Sequence, residues 1–176
     1  MLNKLVLVLL LFGIGVGFSV PEKVTKKADK VMSKFYETES LSKEFILISE
    51  DANEATSSDF GLENFFKIYD ADRFLGYGYI GNAPSKTATF DYLVLFDPDF
   101  IITTSKVLIY REEYGGEIGS RRWLKQFSGK TAGTPELKYN EDIIPISGAT
   151  ISVRSMTRAM NDLLQSIALL QQLNQL

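Results

Sequence analysis

Hydrophobic side chains recur at helical spacing near both ends of the chain. Between Glu22 and Glu37 they recur at offsets of 0, 4, 7, 8 and 11 residues, with lysines between them, at Val24, Ala28, Val31, Met32 and Phe35. A longer stripe predicts a final helix from about Ser152 to about Gln172, with apolar side chains at Val153, Met156, Met160, Leu163, Leu164, Ile167 and Leu170. The lysines of the first segment are interpreted as a solvated helix face.

The middle of the chain alternates β-prone runs with short polar turns. The run "FFKIYDADRFLGYGYIG" predicts a hairpin around "DAD", and "FDYLVLF" with "FIITTSKVLIY" predicts a second hairpin around "DPD". "EFILIS" is a further strand candidate, and "EDANEATSSDFG" is interpreted as a polar loop. The aspartates lack the spacing of a calcium loop, so they indicate turns. We therefore expect an α+β fold, with an antiparallel sheet built from hairpins and packed by an N-terminal and a C-terminal helix.

The segment "REEYGGEIGSRRWLKQFSGK" interrupts this regular pattern. Gly115 and Gly116 are adjacent, and such glycines let the backbone approach another group closely. Trp123 and Phe127 are four residues apart and would share one face of a short helix. From the residues alone, Trp123 is interpreted as a core aromatic.

The first twenty residues differ in character from the rest. Lys4 precedes an uncharged run from Leu5 to Val20, and Gly17 and Ser19 form a cleavage-site pattern. Residues 1–20 are therefore predicted to be a signal peptide or an uncleaved signal anchor, followed by one domain over residues 21–176. We expect export, with the domain periplasmic or held at the membrane by this segment and facing outward.

The absence of two residue types narrows the possible chemistry. The sequence has no Cys and no His, which excludes disulfides, thiolate metal sites and nucleophiles that depend on histidine. A net charge of -3, from 19 basic and 22 acidic side chains, comes without a basic patch, so we expect no nucleic-acid partner. We also expect no metal and no catalytic acid or base. A redox role would have to rest on an organic cofactor.

The stretch "PISGATIS" leads directly into the predicted final helix. Helix N-termini carry unpaired N–H groups and a positive dipole end, which suit a phosphate. Gly148 and Ala149 add little bulk, while Ser147 and Thr150 supply hydroxyls. The alternative is ordinary helix capping by Ser or Thr.

These residues resemble a known family. "SGATIS" is similar to the "SGAT" signature of the FMN-binding domain in covalent-FMN subunits of the sodium-translocating NADH:quinone reductase and the Rnf electron-transport complex. The two hairpins, the glycine loop and "QFSGK" follow the order of that family between about Phe65 and about Met160. Two positions differ: Ile144 stands where members often have Asp, and "EEYGGE" stands where they often have "ETPGLG".

The resemblance implies a function and a set of site residues. A flavin transferase would attach FMN through its phosphate to Thr150, with Ser147, Gly148, Ala149 and Ser152 completing the attachment segment. The flavin ring would lie over the loop Gly115, Gly116 and Glu117, near Trp123. The protein would then be an electron-transfer flavoprotein, or a subunit of an oxidoreductase, that carries electrons between redox partner proteins.

Two other interpretations remain open from the sequence. The domain could instead feed electrons to an associated reductase. It could also be a flavin-free exported module, with a binding or structural role, that keeps the same fold.

Overall fold

The computed structural model describes residues 20–176, so the predicted signal or anchor segment, apart from Val20, lies outside the described residues. These described residues form four α-helices and five strands: α1 (Glu22–Tyr36), β1 (Leu41–Phe45), α2 (Glu50–Ala55), β2 (Phe65–Asp70), β3 (Arg73–Pro84), β4 (Thr89–Phe96), β5 (Ile102–Tyr110), α3 (Arg121–Leu124) and α4 (Thr150–Gln172). Two short 3-10 helices, Gly116–Gly119 and Lys125–Phe127, flank α3. The structure thus confirms the predicted α+β class.

The strands form one antiparallel sheet in the order β1-β2-β3-β4-β5, which is also their order in the sequence. Both predicted hairpins are confirmed, since β2 pairs with β3 and β4 pairs with β5. The aspartates act as turn residues. Asp97 Oδ1 accepts hydrogen bonds from the amides of Asp99 and Ile101, each at 2.9 Å.

Helices cover both faces of the sheet. On one face, α1 packs Val24, Ala28 and Met32 against the side chains of β2 to β5. On the other face, α4 and the segment around α3 bury the larger part of the core. Because β4 lies between these layers, its side chains from Phe90 to Phe96 are all buried. The sequence of this strand is therefore a nearly continuous run of apolar residues.

Two sequence predictions are wrong at the start of the domain. The strand predicted in "EFILIS" is shifted, because Phe45 pairs with Phe66 at the end of β1 and the following residues leave the sheet to pack Ile46 and Ile48 on the main core. The segment interpreted as a polar loop begins with the helix α2. Only Ala52 of α2 is buried, so its hydrophobic pattern is too weak to reveal the helix.

The final helix begins two residues before the predicted start and ends at the predicted Gln172. Within residues 20–176, no helix combines the length and apolar character that crossing a membrane requires.

Candidate functional site

A cavity of about 250 Å³ opens at the first turn of α4. Its walls come from the β3–β4 turn, the end of β5, the segment after β5 and the helix start: Lys86, Tyr110, Glu112, Tyr114, Gly148, Ala149, Thr150, Ile151 and Ser152. Of the predicted site residues, the structure brings Gly148, Ala149, Thr150 and Ser152 together in this wall.

The start of α4 leaves backbone donors available to a ligand. Gly148 has a φ of 78°, which turns the chain into the helix, and Ala149 is the N-cap residue. Alanine has no side-chain acceptor, and no side chain caps this helix end. The N–H groups of the first turn therefore face the cavity region without a capping partner, at the positive end of the helix dipole. Thr150 is exposed at this position.

The glycine loop contacts the attachment segment directly. A Cβ built on Gly115 would lie 2.6 Å from Ala149 Cβ and 3.0 Å from Tyr110 Oη, so only glycine allows this contact. Gly115 also has a φ of 82°, in the left-handed region. Gly116 and Glu117 follow at the start of a 3-10 helix and are both exposed. The predicted proximity of this loop to the "SGAT" segment is thus present, although Gly116 and Glu117 do not line the cavity.

A tyrosine hydroxyl fixes the relative positions of the two segments. Tyr110 Oη donates to the backbone oxygen of Tyr114 at 3.1 Å and lies 3.1 Å from Ser152 Oγ. Because the Tyr110 proton is used on Tyr114, Ser152 is the donor in the second bond. Ser152 is buried. Its hydroxyl holds the helix against β5.

Trp123 lies in the core beside the cavity wall. Its side chain is 6% exposed and packs edge-on against Phe127, with ring centroids 5.4 Å apart. Its indole N–H donates to the backbone oxygen of Ile144 at 2.8 Å. Trp123 does not line the cavity, and neither does the exposed Ser147. The indole instead holds in place the backbone segment that leads into "SGAT".

Two charged cavity residues were missed by the sequence analysis. Glu112 accepts four hydrogen bonds from the β3–β4 turn: Ser85 Oγ at 2.7 Å, Thr87 N at 2.6 Å, Thr87 Oγ1 at 2.8 Å and Ala88 N at 3.1 Å. This turn carries Lys86, the only cationic side chain that residues 20–176 contribute to the cavity wall. The pairing spans 24 to 27 residues of sequence, so no local pattern could have indicated it.

The hydrogen bonds to Glu112 predict an unusual acid titration. Those from Thr87 and Ser85 lower the pKa of the carboxyl from its ordinary 4.5 to about 2. A carboxyl with a lowered pKa in the folded state stabilises the fold fully above its unfolded pKa, and this contribution is lost as the pH falls through about 2. We expect the amide proton shift of Thr87, followed by NMR, to titrate with a midpoint near pH 2 and to lose this titration in Glu112→Gln. A midpoint near pH 4.5, the ordinary pKa of a glutamate carboxyl, would contradict the hydrogen bonding of Glu112 to the turn.

One comparison with known proteins bears on this site. The model of a family described as an FMN-binding domain matches residues 87–165. The matched region includes every residue of the cavity wall except Lys86. No curated protein matches the chain.

Proposed function

The chain contains a domain of the FMN-binding domain family, with FMN as its cofactor, and on this premise we propose that it carries FMN on Thr150 and transfers electrons between redox partners. The observation that carries the proposal is the place of Thr150. Its side chain is exposed in the first turn of α4 and lines a cavity within the matched region.

The residues present fit a phosphate group. Uncapped N–H groups at the start of α4, the Thr150 hydroxyl and the Lys86 ammonium surround one cavity. Backbone amides at a helix start and an ammonium group are the donors that proteins use for phosphate. Gly148 has no other atom within 4 Å of a Cβ built on it, so the backbone is open to a large group there.

Thr150 would attach the cofactor by exchanging its Oγ–H bond, whose proton would pass to solvent, for a bond from Oγ to the flavin phosphorus. A leaving group would depart from that phosphorus in the same exchange. We assign the flavin donor to the FMN anhydrides, such as FAD, in which AMP is the leaving group. A flavin transferase would supply the catalytic groups, because Glu112, the carboxylate among the described residues of the cavity wall, is engaged in hydrogen bonds to the β3–β4 turn.

The size of the cavity indicates where the flavin ring would lie. About 250 Å³ is below the range of about 300–1,000 Å³ for pockets that enclose a drug-sized ligand. The cavity therefore suits the phosphate and part of the ribityl chain, and the ring would lie outside it. The adjoining surface presents Tyr114, which is 77% exposed, and the open backbone of Gly116.

FMN bound here would accept and release electrons, and the protein would set its position and potential. The chain's own residues bind and orient the cofactor. We further propose that the domain acts after export, in the periplasm or held at the membrane by residues 1–20, with redox proteins as its partners.

Intact mass after co-expression with a flavin transferase tests the proposal. We expect the chain to gain the mass of one FMN less one water, together with visible flavin absorption. A colourless protein of unchanged mass, formed beside a transferase shown to be active on another substrate, would favour the flavin-free module instead.

Tyr114 provides a test of the ring position. We expect Tyr114→Ala to lower the fluorescence anisotropy of the attached flavin, because it removes an aromatic contact worth about 0.5–1.5 kcal/mol. Tyr114→Phe should keep the wild-type value. Since Tyr114 is largely exposed, neither change should disturb the fold. Equal anisotropy in the alanine variant and the wild type would place the ring elsewhere.

A further inference from the structure

We propose that Lys86 neutralises the phosphate at Thr150 and that Glu112 is the positioning residue that holds Lys86 over the cavity. This inference rests on the proposed function and adds two residues that the family resemblance did not indicate. Lys86 lies in the β3–β4 turn, one residue before the region matched by the family model.

The first step of the argument is the charge that the site must hold. A phosphate esterified to both the ribityl chain and Thr150 keeps one negative charge. The helix start supplies partial positive charge from its N–H groups and dipole, but among the described residues of the cavity wall only Lys86 supplies a full positive charge. Lys86 makes no ion pair with any residue in the described part of the chain, so its ammonium is available to an anion.

The second step is the fixed geometry of the turn. Glu112 accepts hydrogen bonds from residues on both sides of Lys86: from Ser85 Oγ, from the amide and hydroxyl of Thr87, and from the amide of Ala88. A further hydrogen bond within the backbone, from Ser85 N to Ala88 O at 2.8 Å, closes the turn. The backbone on both sides of Lys86 is therefore fixed to the segment after β5, which limits the positions its side chain can reach.

The third step concerns the charge of Glu112 itself. Its carboxylate also lines the cavity, and the four hydrogen bonds that it accepts from the turn stabilise its ionised form. The cavity wall therefore carries a negative charge as well, and an anion bound there needs the positive charge of Lys86 to offset it.

The rate of covalent FMN attachment by a flavin transferase, with FAD as donor, tests the lysine. We expect Lys86→Met to lower the rate about tenfold, the size of effect expected for losing a hydrogen bond to a charged group. Lys86→Arg should restore most of the rate. Lys30→Met, on α1 across the sheet, is the matched control and should leave the rate unchanged. An unchanged rate in Lys86→Met would overturn the proposal.

A double-mutant cycle tests the role of Glu112. If Glu112 acts through Lys86, Glu112→Gln should slow attachment in the wild-type background but have little further effect in Lys86→Met. Independent, multiplying effects of the two substitutions would show that Glu112 acts on the fold in general and would overturn its positioning role.

Binding of inorganic phosphate to the flavin-free protein separates this inference from the proposed function. Phosphate should shift the backbone amide signals of Ile151 and Ser152 in NMR spectra, with weaker affinity in Lys86→Met and near-wild-type affinity in Lys86→Arg. If this pattern holds but the wild type never acquires FMN, the anion site stands and the proposed flavin attachment fails. If FMN is attached but Lys86→Met changes neither measurement, the role of Lys86 fails alone.

Discussion

Thr150→Ala is expected to abolish covalent FMN attachment completely while leaving the fold unchanged. The alanine side chain has no oxygen to form the phosphoester, so intact mass should show only the unmodified chain after co-expression with a flavin transferase. Thr150 is exposed at the start of α4 and does not cap the helix. The free energy of unfolding should therefore stay within about 0.5 kcal/mol of the wild-type value.

Two control substitutions show whether the effect is specific to the Thr150 hydroxyl. Thr150→Ser keeps the oxygen at the same position and should still accept FMN, at a reduced rate because serine is less restricted in χ1 than threonine. Ser147→Ala removes an exposed hydroxyl that does not line the cavity and should leave the mass gain intact. Flavin retained in Thr150→Ala, or lost only in Ser147→Ala, would mean that the attachment residue has been assigned wrongly.

Gly115→Ala should destabilise the domain and disrupt the cavity at the same time. The new Cβ would stand 2.6 Å from Ala149 Cβ, so either the loop or the helix start must move. Overpacking of this kind costs about 1–3 kcal/mol, and the left-handed conformation of a non-glycine residue adds about 1–2 kcal/mol. Together these costs lower the free energy of unfolding by about 2–5 kcal/mol, and Tm by on the order of 10 °C.

The adjacent glycine is a matched control for this substitution. A Cβ built on Gly116 meets no atom within 4 Å, and its φ lies outside the left-handed region. Gly116→Ala should therefore change the Tm measured by differential scanning calorimetry only slightly. Similar Tm losses in both variants would show that the contact between Gly115 and Ala149 does not determine the stability of the loop.

The hairpins could be predicted from sequence because their information is local. Each combines two β-prone runs with an Asp-containing turn, and the turn chemistry specifies which runs are paired. The helix α2 could not be predicted in this way. Asn53, within it, binds the amide of Phe60 through Oδ1 at 2.8 Å, and this contact with the following loop has no signature in the hydrophobic pattern.

Only some of the site residues could be predicted from the sequence. The "SGAT" segment and the glycine loop could be placed together through the family resemblance, and the structure shows their contact at Gly115 and Ala149. Lys86 and Glu112 were missed because a surface lysine and one of several glutamates have no distinguishing neighbours in the sequence. The interpretation of Trp123 as a core aromatic is confirmed, since its side chain is buried and its indole donates to the backbone of Ile144, while its position near the ring stays a prediction.

The strand order of the sheet has a consequence for how the protein is assembled. Each strand pairs with the strand before it in the chain, so the sheet can grow by successive short loop closures, which carry a low entropic cost. The wall around Thr150 is different, because it joins the β3–β4 turn to a helix that begins more than sixty residues later. We expect this long-range closure to follow formation of the hairpins, with α4 docking on the finished sheet. A chain whose flavin phosphate is bound by Lys86 would therefore be a folded chain. The visible flavin absorption of the protein would then report the fraction of chains that have folded.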